Sequence, residues 1–74
     1  MNDYKQVFKF DNGYGASVIS NAMSYGGSKG LFEVAVLDKD GNIAYNTTVT
    51  NDVVGWLDFA EVADILNKIK ELKS

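Results

Sequence analysis

The apolar positions of this chain change period once, and the change divides it into a strand-rich part and a helix. From Tyr4 to Phe10 they alternate, with Tyr4, Phe8 and Phe10 on one side and Lys5 and Lys9 on the other. That is the period of a half-buried strand. Asp11-Asn12-Gly13 then interrupts the pattern, and Asn-Gly is the pair that best supplies two positive φ angles to a tight hairpin. The chain is predicted to return as a second strand through Tyr14 to Ser20, with Gly15 and Ala16 marking a bulge or a close approach of backbone. Leu31–Leu37, LFEVAVL, is a third strand, rich in branched and aromatic residues and carrying one charge, Glu33. Asp38 to Asn42 reads as a turn. Ile43 to Val49 is predicted as the fourth strand, with Ile43, Tyr45 and Val49 on one side and Asn46, Thr47 and Thr48 suggesting a solvated edge. Asn51 to Trp56 reads as a short turn or helical step that carries Trp56 into the joint before the helix.

Beyond Leu57 the period becomes helical: Phe59, Val62, Ile65, Leu66, Ile69 and Leu72 fall on one stripe. Asp58 is placed to cap this helix, and Glu61 three residues later completes a capping box. Acids gather in the first turns and lysines in the last, as the helix dipole prefers. About fifteen residues at 1.5 Å each would span roughly 22 Å, comparable to the width of a four-stranded sheet. The predicted fold is therefore α+β: a four-stranded antiparallel β-meander with one C-terminal amphipathic helix packed on one face, forming a single small domain over residues 1–74.

Composition changes this picture mainly by what it excludes. The chain has no histidine and no cysteine, and all seven of its basic residues are lysines. The commonest general base, the thiol nucleophile and the usual zinc ligands are therefore missing. So is the guanidinium fork that grips phosphates and guanine edges. The net charge of −3 argues against a nucleic-acid partner held by electrostatics. Charge is also uneven: six acids against Lys39 alone leave residues 38–64 at −5, which offers an acidic surface to a basic partner. MNDYKQVFKF lacks the basic flank and apolar run of a secretion signal, and no stretch is long and apolar enough for a bilayer. The expectation is a soluble, cytoplasmic protein with no membrane partner.

Candidate chemistry is weak. In SYGGSKG, Ser24 to Gly30, three glycines and a lysine suggest a phosphate cradle, but the spacing is wrong and the stretch leads into a strand rather than a helix N-terminus. A flexible connection that lies close to a neighbour accounts for the glycines. DKDGN places Asp38, Asp40 and Asn42 like the opening of a calcium loop, yet Ile43 stands where glycine is needed and Val49 where a bidentate glutamate is needed. Asp40-Gly41 is better read as a hairpin turn. No serine has a histidine to activate it. No catalytic residue, cofactor or metal is expected, and the protein is read as a non-enzyme.

LFEVAVL does pose a question, because it is apolar on both sides. Phe32, Val34 and Val36 lie on one, and Leu31, Ala35 and Leu37 on the other. One helix covers one face, so the other is expected to be a contact surface unless the glycine loop and Trp56 seal it. The candidate surface comprises Tyr25, Lys29, Leu31, Ala35, Leu37 and Trp56, with Asp38, Asp40 and Asp52 as its acidic part. The occupant would be another protein or a second copy of the chain.

NGYGASVIS, SYGG, GLFEVAVLD, Tyr45 with Thr47, DVVGWL and the terminal helix, in that order, resemble a family of small proteins encoded by bacteriophages and prophages. The resemblance spans nearly the whole chain. It implies no enzymatic activity and no catalytic residues. It does imply an accessory protein in the cytoplasm of an infected bacterium, acting by occupying the surface of a partner protein, as an inhibitor in host takeover or anti-defence. The alternative is a nucleic-acid-binding accessory protein using Lys5, Lys9 and Lys29 with Tyr14 and Tyr25.

Overall fold

The computed structural model describes residues 3–44, 47 and 53–73. Four strands, β1 (Tyr4–Lys9), β2 (Gly15–Ser20), β3 (Phe32–Leu37) and β4 (Val54–Leu57), form one antiparallel sheet in the order β1-β2-β3-β4, and α1 (Phe59–Lys70) follows. The α+β meander with a C-terminal helix is thus the architecture of the chain.

The first hairpin turns where its residues predict, but not through two positive φ angles: Asp11–Gly13 is a three-residue loop closed by the Gly13 N–H donating to the Phe10 carbonyl at 3.1 Å, and only its glycine is left-handed. Gly13 takes φ 91°, and the β1–β2 register runs unbroken from Lys9 opposite Gly15 to Tyr4 opposite Ser20. Gly15 marks a close approach rather than a bulge, since a Cβ there would sit 2.5 Å from the Phe8 carbonyl oxygen. Asn12 has a second task. Its amide donates to the carbonyl oxygens of Ile69 and Leu72 at 2.9 Å and of Lys70 at 3.2 Å, while its Oδ1 accepts the Tyr14 N–H. One side chain therefore ties the first turn to the carbonyl end of α1, where helix acceptors otherwise lack partners.

Val54–Leu57, read from the sequence as a turn or helical step, is a strand. Ile43 bridges Leu37, and the Ala44 N–H donates to Val36 at 2.7 Å, so the return from β3 begins on schedule. Tyr45, Asn46, Thr48 and Val49 of the predicted strand lie outside the described residues. Val54–Leu57 pairs with β3 in the described sheet. Leu57 stands opposite Phe32 and Val54 opposite Val34, with a register shift between them. β4 is held by β3 and, through the Trp56 N–H bond to the Tyr25 carbonyl, by the glycine loop, both far away in sequence, which local periodicity does not see.

The core lies between the sheet and α1. Ala16, Val18, Phe32, Val34, Val36, Ala44 and Leu57 meet Val62 and Ile69, with Phe8, Val54, Ile65 and Leu66 packed around them. Val34, Val36 and Ile69 are the largest side chains to be fully enclosed, each worth about 1.5–3 kcal/mol of transfer free energy. The capping box is complete: Asp58 Oδ1 accepts the Glu61 N–H at 2.8 Å, and Glu61 Oε1 accepts the Asp58 N–H at 3.1 Å. Phe59 departs from the predicted stripe. Standing at the first helical position, it is 76% exposed, and one edge of its ring leans on Phe32 with centroids 4.8 Å apart.

Candidate interaction surface

Alternation along β3 places Glu33, Ala35 and Leu37 on the face opposite α1, and the glycine loop folds back onto that face at the β3–β4 corner. Its geometry follows from its glycines. Gly26 has φ 86°, a left-handed conformation that costs other residues roughly 1–2 kcal/mol. A Cβ on Gly26 would also meet the Trp56 backbone at 2.9 Å. Gly55 supplies the reciprocal gap, for a Cβ there would lie 2.3 Å from Tyr25 Cβ. Two hydrogen bonds fasten the approach: the Tyr25 carbonyl accepts the Trp56 N–H at 3.2 Å, and the Tyr25 N–H donates to Glu33 Oε1 at 3.0 Å. SYGGSKG is thus a structural clamp on β4. Glu33, the single charge of LFEVAVL, is the anchor that sequence reasoning passed over.

Trp56 sits inside the β3–β4 irregularity with φ 61°, and among the described residues it alone adopts positive φ without being glycine. Gly55 and Trp56 together oppose Glu33, an arrangement with the two-against-one count of a β-bulge. Bulges re-aim side chains, and here the indole is 58% exposed beside Tyr25, itself 61% exposed. A large aromatic held at backbone cost and left in solvent is poor design for folding alone. Tyrosine and tryptophan are also the residues that most often dominate protein interfaces.

The expected surface residues fall into two groups. Tyr25, Lys29, Leu31 and Trp56 gather at the end where β3 begins: Lys29 is exposed at the end of the short 3-10 turn Gly27–Lys29, and Leu31 is half-buried. Leu37, Asp38 and Asp40 lie at the other end of the six-residue β3, roughly 17 Å away at strand rise. Ala35, between them, is buried at 7% exposure and offers no contact area, which corrects its place in the expected surface. Asp38 is largely committed to its turn, its Oδ1 accepting the N–H groups of Asp40 and Asn42 at 2.9 and 3.0 Å. Asp40 is exposed, and Asp52 lies outside the described residues. Of the other acids in the 38–64 segment, Asp58 and Glu61 cap α1, and Asp64 pairs with Lys68 at 3.2 Å. The acidic segment is therefore several local devices rather than one charged face.

The constellation for nucleic acid is likewise dispersed. Lys5 and Lys9 lie on β1, whereas Lys29 and Tyr25 adjoin β4 at the opposite edge, about three strand spacings or 14 Å away. Tyr14 is half-buried against the core. Among the described residues no His, Cys, Asp or Glu cluster could hold a metal, no buried side-chain nitrogen or oxygen lacks a partner, and no helix is long and apolar enough to cross a membrane.

No family model, curated protein or solved structure matches this chain.

Proposed function

We propose that the chain is a non-enzymatic accessory protein of bacteriophage type that binds a host or phage protein and inhibits it, in host takeover or anti-defence. The contact is the Tyr25–Trp56 corner with Leu31 and Lys29 at its border. The observation that carries this reading is the half-exposed Trp56 kept at φ 61° by the docked glycine loop. The absence of histidine, cysteine and arginine supports binding over catalysis. The resemblance to small phage proteins supports the cytoplasm of an infected bacterium as the setting. The nucleic-acid alternative has less support, because its lysines and tyrosines lie at opposite edges of the sheet.

The test is a paired capture from bacterial lysate with the wild-type chain and Trp56→Gly, followed by direct titration of the captured protein. Glycine suits the left-handed backbone, so this variant removes the indole without straining the fold. The expected result is a partner bound by wild type and lost by at least about tenfold in affinity with Trp56→Gly, the usual scale of an interface hot spot. Equal binding by a folded Trp56→Gly variant moves the site elsewhere.

A further inference from the structure

Among the described residues β1 is an outer strand of the sheet, and of its six residues all but Phe8 are exposed. The Phe10 N–H donates to the Tyr14 carbonyl, so the Phe10 backbone faces β2. Strand alternation then turns the N–H and C=O groups of Tyr4, Gln6 and Phe8 toward β2 and those of Lys5, Val7 and Lys9 toward the open edge. Such an edge is a template for another strand.

We infer that β1 pairs antiparallel with β1 of a second copy, about a twofold axis through Gln6, to give a continuous eight-stranded sheet. Charge selects the register. A twofold perpendicular to the sheet keeps each residue on its own face, so only registers centred on a residue are allowed. Centring on Val7 sets Lys5 against Lys9 twice and Asp3 against Asp11 twice. Centring on Lys5 sets that lysine against itself, and centring on Phe8 draws the Asp11–Gly13 turn into the strand. Centring on Gln6 sets Asp3 against Lys9 twice and Tyr4 against Phe8 twice, with the outward backbone groups of residues 3, 5, 7 and 9 in hydrogen-bonding register. Opposite charges and aromatic pairs across strands are stabilising, and like charges are not. Centring on Tyr4 also sets Asp3 against Lys5 but leaves most of β1 unpaired, so the Gln6 register is the compensated arrangement that uses the whole strand.

A second feature converges on the same edge. α1 lies over β2, β3 and β4, which leaves an apolar groove of about 230 Å³ lined by Tyr4, Phe8, Phe32, Phe59 and Leu66. Phe59 and Tyr4 are 76% and 42% exposed. The Gln6-centred twofold lays the second copy's groove beside this one, Tyr4 against Phe8 across the junction. This inference goes beyond the proposed function, since it uses the opposite edge of the sheet and leaves both Trp56 corners facing outward.

Sedimentation velocity from micromolar to millimolar chain concentration tests it. The wild type is expected to pass from monomer to twice the monomer mass. Val7→Pro is expected to stay monomeric while keeping its circular dichroism spectrum and melting transition, because proline is tolerated where the missing N–H faces outward from an edge strand. Lys9→Asp is expected to weaken the dimer about tenfold or more, and Asp3→Lys combined with Lys9→Asp to restore it. A wild type that remains monomeric throughout, or a dimer indifferent to Val7→Pro, overturns the pairing. Failure of the double charge swap to restore association overturns the register.

Discussion

At the residue scale two side chains do work that their neighbours in sequence do not announce. Trp56 occupies a left-handed position, where any Cβ is penalised by about 1 kcal/mol or more. In an ordinary strand alanine is better than glycine by roughly 0.5–1 kcal/mol; at position 56 the order should invert. Trp56→Gly is expected to be more stable than Trp56→Ala by about 1 kcal/mol, read from urea midpoints at equal m-value. The ordinary order at this site would mean that φ 61° does not describe the folded protein in solution. Asn12 makes the complementary case. Its amide holds three carbonyl oxygens at the end of α1, so Asn12→Ala is expected to cost about 1–3 kcal/mol. Asn12→Asp should cost more, because a carboxylate donates nothing and meets the negative end of the helix dipole. Stability equal to wild type in both variants would dissolve the link between turn and helix.

At the element scale, legibility followed the range of the interactions. The first hairpin, β3 and the capped helix were readable because each is specified within a few residues: Asn12-Gly13 for the turn, Asp58 with Glu61 for the cap, alternation or helical spacing for the rest. The fourth strand was not. Val54–Leu57 is strand because it pairs with β3, with Gly26 and Tyr25, roughly thirty positions earlier, docked against it, and no local pattern encodes partners so distant. The conformational role of the SYGGSKG glycines is legible in the sequence, but their target, the Gly55–Trp56 backbone, is not. The same limit applied to the site. Sequence spacing points to Tyr25 and Trp56, but it does not separate them from Leu37 and Asp38 at the far end of β3, nor show that Ala35 is enclosed. Because the clamp is mutual, Gly55→Ala is expected to act on both elements. Its Cβ has to displace Tyr25, at a cost of about 2 kcal/mol or more. Hydrogen exchange should accelerate at the Trp56 amide while the β1–β2 amides stay protected. Uniform acceleration over the whole sheet would mean that loop and β4 are not a separate unit.

At the scale of the whole molecule, the distribution of charge and exposed aromatic area decides how binding at the Trp56 corner should respond to solvent. The segment 38–64 carries a net −5, and a partner drawn to that charge would be released by salt. Most of its described acids, however, are engaged at home in the Asp38 turn, the Asp58–Glu61 capping box and the Asp64–Lys68 pair. What faces outward at the corner is the Tyr25 and Trp56 side chains, whose contribution is the removal of apolar surface from water. Raising ionic strength from about 0.01 M to about 1 M shortens the Debye length from about 30 Å to about 3 Å. Over that range a contact seated on Tyr25 and Trp56 is expected to keep its affinity within about threefold, or to tighten slightly as salt strengthens apolar burial. A steep, monotonic loss with salt, retained in Trp56→Gly, would mean that the partner reads the acids and that the strained tryptophan serves something else.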